Sequence, residues 1–570
     1  MTDSPPGDLA TLSRRYWDAT LEFDPIFATY VGERRFDDRL DDRSDPAIDA
    51  QRSRLGAIRA EVEALAAADL GPEDRITRSA LLAQIRRDRA HLEANLEAWT
   101  VDPLDGPQVA ALNLEAIQAV ATPDHARAMV ARWIALGPWF DGRADRLRRG
   151  VGEGRVGVRS TVAKVLDQLT STLERPDDEL PLLAPLAVDH PDWTAAERAT
   201  FAEGLRSAVR DVVRPAMERY RVVIRDEILP AARSDDRPGL AHVPGGREAY
   251  DKLIELHTSL PLGAQEIHAI GLQEVERIDR DLAELGERVL GTSDLATIRH
   301  RLRSDPAMHF TTRDEVRGAA EDSLARARAA VPAWFGIQPV ADCVVVPMSE
   351  HEERHSTIAY YRQPATDGSR PGQYYINTSE PATRPRYEAQ ALAYHEAVPG
   401  HHLQLAISQE LTSLPEFRRH TGPTAYVEGW GLYTERLADE MGLYSGYLDR
   451  IGVLSFDAWR ACRLVVDTGM HALGWTRRQA IDFMLDHTVL AANNVMNEID
   501  RYIAMPGQAL AYKIGQREIL RLRAESEREL GDRFDIRGFH DAVLGHGVVG
   551  LDTLGEIVGD WTRSVLATPR

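Results

Sequence analysis

Apolar residues in DLATLSRRYWDATLEFDPIFATYVG, residues 8–32, recur at intervals of three and four and stop at Gly32. That spacing turns one face of an α-helix toward a core. The segments SRLGAIRAEVEALAAADLG (53–71) and SAVRDVVRPAMERYRVVIRDEILPAA (207–232) repeat the habit, with prolines marking kinks and ends. A different pattern occupies a single region. CVVVPM (343–348), STIAYY (356–361) and QYYIN (373–377) are short, β-branched or aromatic, and separated by turn residues, so they predict strands. The expected fold is mainly α: a large helical protein with one small β-sheet.

Two proline-rich passages, 174–193 and 230–246, punctuate the chain. The second suggests a weak boundary between an N-terminal helical region, 1–240, and a catalytic region, 241–570, within one continuous fold. With 570 residues, 43% of them hydrophobic, the chain can bury a large core. Its 89 acidic against 68 basic side chains give a net charge of −21, which disfavours nucleic-acid and anionic membrane surfaces. Only Cys343 and Cys462 occur. With no apolar leader at the start and no run of ~20 apolar residues, a cytoplasmic protein is expected. Oligomeric state is not legible.

Candidate chemistry centres on ALAYHEAVPGHHLQLAI, residues 391–407. His395-Glu396 begins the H-E-x-x-H zinc pattern, in which two histidines one turn apart bind the ion and the glutamate is the base. The place of the second histidine, however, is taken by Pro399, followed by Gly400, His401 and His402. In a regular helix His402 would sit about 10.5 Å along the axis from His395, too far to share an ion. A Pro399-Gly400 bulge would remove two residues from the register and return His401 to the i+4 place. His402 then becomes a neighbouring substrate-site residue or the alternative ligand. A formally intact motif, HEERH (351–355), falls between two predicted strands, where Glu350, Glu352, Glu353 and Arg354 crowd four charges into five residues. It reads as a solvated turn.

A zinc hydrolase needs a third protein ligand and one open position. GPTAYVEGWGLYTERLADEMG (422–442) reads as a helix opened by Pro423 and ended by Gly442, with Glu428 and Glu435 two turns apart on one face. Glu428 is the expected third ligand. The plainer reading makes both glutamates surface residues of an amphipathic helix.

HEAVPGHHLQ, EGWGLYTERLADEMG and YIAMPGQALAYKIGQREILRLR (502–523) together resemble the domain-of-unknown-function family numbered 885, and the likeness covers most of the chain. That family is distantly similar to the helical zinc peptidases, among them carboxypeptidase Taq, thimet oligopeptidase and angiotensin-converting enzyme. The resemblance implies a metallohydrolase with one zinc ion, or another divalent transition metal, on His395, His401 and Glu428. The extra Pro-Gly departs from their H-E-x-G-H helix. The relatives place tyrosine, histidine and basic residues of a later segment over the metal. Tyr502 and Tyr512 would here be oxyanion donors, with Arg501, Gln508 and Lys513 as substrate contacts. His487 reads as structural. Tyr375, in GQYYINTSEP, is a further substrate-binding candidate if that strand offers an edge to an extended peptide.

The expected activity is zinc-dependent hydrolysis of peptide bonds in short peptides. Glu396 takes a proton from the attacking water and returns it to the leaving amine. The alternatives are hydrolysis of a non-peptide amide in specialised metabolism, and a non-catalytic helical metal-binding protein.

Overall fold

The apolar periodicity at the start of the chain forms two helices, not one. Leu9–Phe23 is capped by Asp8, whose carboxylate accepts from the Thr11 N–H. It ends at Asp24, which caps the next helix, Pro25–Tyr30, by accepting from the Phe27 N–H at 2.9 Å. Proline fits the first turn, where its missing N–H leaves no bond unmade. Further on, helix runs almost without interruption from Ala195 to Ala231, widened into π turns at Val209–Val213 and Ile224–Ile228. Each π turn lies just ahead of a proline, Pro215 and Pro230, so the wider turns absorb the bonds those residues cannot make.

The computed structural model describes residues 8–349, 353, 357–366 and 368–569. Helices that bear on the site are labelled here: α1 (Ala264–Leu290), α2 (Ala389–Glu396), α3 (His401–Glu410), α4 (Thr424–Glu440), α5 (Tyr447–His471), α6 (Ala492–Ala504) and α7 (Ala511–Leu530). The packed pairs α1/α5 and α4/α7 frame the molecule's centre. The α4/α7 crossing is close because glycine faces glycine. A Cβ on Gly515 would lie 1.9 Å from the Ala425 carbonyl oxygen and 2.7 Å from Gly429 Cα. Among the described residues no helix is long and apolar enough to cross a membrane.

Three strands form the expected sheet: β1 (Cys343–Pro347), β2 (Ala359–Arg362) and β3 (Gly372–Ile376). Its order is β1-β3-β2, with β3 parallel to β1 and antiparallel to β2. This corrects the edge-strand idea for Tyr375. β3 is the middle strand, so both of its backbone edges are already paired and no peptide can add there. Tyr374 turns into the core while Tyr375, on the other face, stacks on Tyr360 at 4.7 Å.

The cores divide the chain otherwise than a boundary at 240. One apolar cluster unites residues from Leu9 to Trp99 with residues from Leu240 to Val558. A second cluster runs from Val101 to Ala232, with Ile26 and Leu40 packed against it. The first hundred residues therefore pack as part of the site-bearing body. Arg418, fully buried, fastens them by donating to Glu73 at 2.6 Å and to Thr77 at 2.8 Å.

Candidate metal centre

Helix α2 ends at Glu396 and α3 begins at His401. Between them the chain turns through Ala397–Gly400 with a cis Val398–Pro399 bond. The expected bulge within one helix is thus a full break, because Pro399 has no N–H to carry the ladder forward. The His402 N–H reaches the Ala397 carbonyl at 3.0 Å instead. Trp430 holds the turn from α4, donating to the Pro399 carbonyl at 3.0 Å. The Thr434 hydroxyl donates to the Tyr394 carbonyl at 3.0 Å.

This break brings His401 back beside His395, with ring centroids 4.7 Å apart. Glu428 on α4 completes the group. One ligand atom from each of His395, His401 and Glu428 lies within 4.8 Å of the others. Glu428 Oε2 stands 3.5 Å from His395 Nε2 and 3.6 Å from His401 Nε2. These separations are long for hydrogen bonds. They fit a shared ion, since two donors each ~2.1 Å from a tetrahedral zinc lie about 3.4 Å apart. Among the described residues His401 Nδ1 is buried and has no hydrogen-bond partner. Two imidazoles and one carboxylate are a donor set suited to zinc. The residues present fit the ion.

Behind His395 lies a group whose role the sequence pattern did not single out. Its Nδ1–H donates to Glu435 Oε1 at 2.8 Å, and Glu435 is 1% exposed. A carboxylate can only accept, so this bond keeps a proton on Nδ1 and turns Nε2 toward Glu428, as the nitrogen that would exchange its proton for an ion. Burial pulls the His395 pKa down, but Glu428 and Glu435 outweigh it and raise it to about 9. Burial likewise opposes the charge on Glu428, whose carboxyl the two imidazoles hold well below its usual range. Gly431 makes the arrangement possible: a Cβ there would lie 2.6 Å from the His395 ring. Glu435 was within reach of sequence reasoning only as the second member of the two-turn pair on α4.

His395 and His401 are buried, while the Glu428 side chain retains 21% exposure and marks the accessible side. Glu396 directly follows His395, is partly exposed, and bears electrostatically on both His395 and Tyr374. Tyr512, on α7, lies within electrostatic range of Glu428.

Other expected site residues have different occupations. His402 accepts from the Tyr361 hydroxyl at Nδ1, 2.9 Å, and donates from Nε2 to the Ala341 carbonyl, 3.1 Å. With both nitrogens engaged and burial pushing its pKa down to about 4, it fastens α3 to the sheet; this corrects its expected place as alternative ligand or substrate contact. The Tyr502 hydroxyl donates to Glu498 at 2.5 Å and accepts from Arg463 and Trp459, which leaves no proton for an oxyanion. Arg501 grips Glu498 and donates to Gln508 Oε1 at 2.7 Å, so these two expected substrate contacts satisfy one another. Lys513 is 1% exposed and donates to Asp457 at 2.6 Å and Gln516 at 2.7 Å. Its expected substrate contact is corrected to a buried ion pair. The Tyr375 hydroxyl donates to Gln373 at 3.2 Å. His487 pairs with Asp279 at 3.1 Å. Of HEERH only Glu353 is among the described residues. It is helical and buried, and accepts from Arg313 and Thr378; the expectation for its two histidines lies outside the described residues.

A crystal structure of a Colwellia psychrerythraea protein, provisionally called a lipoprotein, is 26% identical to the chain. It superposes with a TM-score of 0.91 over 98% of this chain and 99% of that one. A provisionally named lipoprotein of unknown function from Shewanella oneidensis is 19% identical, with a TM-score of 0.76 over 97% and 99%. A Pyrococcus furiosus carboxypeptidase aligns over 99% of both chains at 11% identity, but its TM-score of 0.37 is too low to bear on fold or function. No curated protein matches. The family model described as "bacterial protein of unknown function (DUF885)" matches residues 25–558, and the chain belongs to that family.

Proposed function

We propose that the protein is a zinc-dependent hydrolase of amide bonds, a peptidase acting on short peptides in the cytoplasm, with one ion per chain on His395, His401 and Glu428. The convergence of those three ligand atoms, with Glu435 orienting His395 from behind, carries the reading. An ion so held supplies Lewis acidity, polarising a carbonyl and acidifying a water.

The chain's own residues divide the remaining work. Glu396 is the base. As the residue after a ligand histidine, it projects about 100° round the helix from His395, off the ligand set and toward its open side. It accepts a proton from the attacking water and delivers it to the leaving amine, so that amine departs neutral. Tyr512 donates its hydroxyl proton toward the carbonyl oxygen as negative charge gathers there. Tyr502, bound to Glu498, instead steadies α6 against α5.

A non-catalytic metal-binding protein would have no use for a carboxylate at the position of Glu396. A small non-peptide amide would meet the same groups, and a mixed substrate screen separates the two. The net charge of −21 supports a small-molecule substrate over nucleic acid. The test is incubation of the zinc-loaded chain with a mixed pool of short peptides, read by mass spectrometry. Appearance of cleavage products that a chelator abolishes supports the reading, and an unchanged pool counts against it.

A further inference from the structure

Helix α5 carries a guanidinium that forms no ion pair among the described residues. Arg460 is 6% exposed, with its charged plane 4.3 Å from the ring centre of Trp459 and 4.5 Å from that of Phe456. Its Nε and Nη1 are buried and reach no acceptor among the described residues. Burial lowers its pKa, and Glu435 and Glu428 lie close enough to oppose that effect, yet neither forms an ion pair with it among the described residues. Arg463, one turn on, also buries an unpartnered Nη1, while its other nitrogens serve Tyr502 and Glu498. The two guanidinium groups stand 6.0 and 4.3 Å from the ring centre of Tyr512, the tyrosine that lies within electrostatic range of Glu428.

Buried N–H groups of a cation that meet no acceptor are costly, and a ligand that supplies the acceptor removes that cost. The complement of a guanidinium fork is a planar pair of oxygens, as in a carboxylate. A dianion such as phosphate fits less well, because the carboxylates of Glu435 and Glu428 already place negative charge nearby.

We propose that Arg460, assisted by Arg463, anchors a carboxylate of the substrate beside the metal centre. The peptide class is then one with a free carboxylate near the scissile amide, and the first candidate is the C-terminal α-carboxylate, so the chain removes C-terminal residues. This rests on the hydrolase reading above, but the binding it requires does not depend on turnover.

The test uses two matched libraries of N-acetylated tripeptides, one with free C-termini and one amidated. Retention on the zinc-loaded Glu396→Gln chain is measured by ultrafiltration and mass spectrometry. Free acids should be retained roughly 10–100-fold over amides, the range expected of a charge-assisted fork. Arg460→Met should abolish that preference with bound zinc unchanged, and Arg460→Lys, which keeps the charge but not the fork, should restore part of it. If amidated peptides containing Asp or Glu are retained in place of free acids, the anchor holds a side-chain carboxylate. Equal retention of every library member, or a preference that survives Arg460→Met, overturns the anchor. The hydrolase reading fails separately: a wild-type chain that retains free acids yet cleaves none refutes it and leaves the anchor standing.

Discussion

Glu435 accepts a hydrogen bond from His395 Nδ1 at 2.8 Å, while Glu428, two turns earlier on the same helix, faces the other nitrogen of that ring at 3.5 Å. One helix therefore supplies both a ligand and the group that aims a second ligand. Glu435→Gln keeps an oxygen that can accept the bond but removes the charge that makes the imidazole a stronger donor to metal. Zinc affinity should fall about 10–100-fold, the usual effect of losing such a partner. A competition titration with a chromophoric chelator measures it, and an unchanged affinity would remove Glu435 from the centre.

The adjacent histidines separate by role. His401→Ala should lose the metal from a folded chain. His402→Ala should keep the metal and lower stability by roughly 1–3 kcal/mol, because the Tyr361 hydroxyl and the Ala341 carbonyl lose their buried partner. Metal content and thermal unfolding of both variants check this. The opposite pattern would make His402 the ligand.

How much of this was legible beforehand depends on the residue. His395, His401 and Glu428 could be found because metal chemistry restricts residue types and a helix restricts spacing. The form of the junction could not: a proline excludes the regular ladder but does not say whether the helix widens or stops, and here it stops at Glu396. Lys513 and Tyr502 were misplaced for a related reason. A sequence shows that a side chain can donate, but which acceptor it meets, Asp457 or Glu498, is set by helices distant in the chain. Arg460 was invisible because its interest lies in N–H groups that meet no acceptor among the described residues, which only the fold reveals. The strands were readable from β-branched runs, but the central place of β3 followed from pairing across about thirty residues.

The two tyrosines of the later segment should part company. Tyr512→Phe should lower kcat about 10²–10³-fold with metal binding and stability intact, as when one oxyanion donor is removed. Tyr502→Phe should leave kcat near wild type and lower the melting temperature, because Glu498, Arg463 and Trp459 lose their common partner. Steady-state kinetics and thermal unfolding decide between these roles, and equal kinetic losses in the two variants would refute the division.

Glu396→Gln keeps the shape of the side chain but cannot accept a proton. The variant should fold, retain its zinc, bind substrate and lose roughly 10²–10⁴ in rate, the contribution of a positioned general base. Loss of the metal would make Glu396 a ligand. Full activity would place the chemistry elsewhere.

The central claim is that His395, His401 and Glu428 share one ion, and its most direct test is the metal content of the chain. After loading with zinc and exhaustive dialysis, elemental analysis should find about one ion per wild-type chain and far less than one in a folded Glu428→Gln variant. No retained ion in the wild type, or an equal content in both proteins, would contradict it.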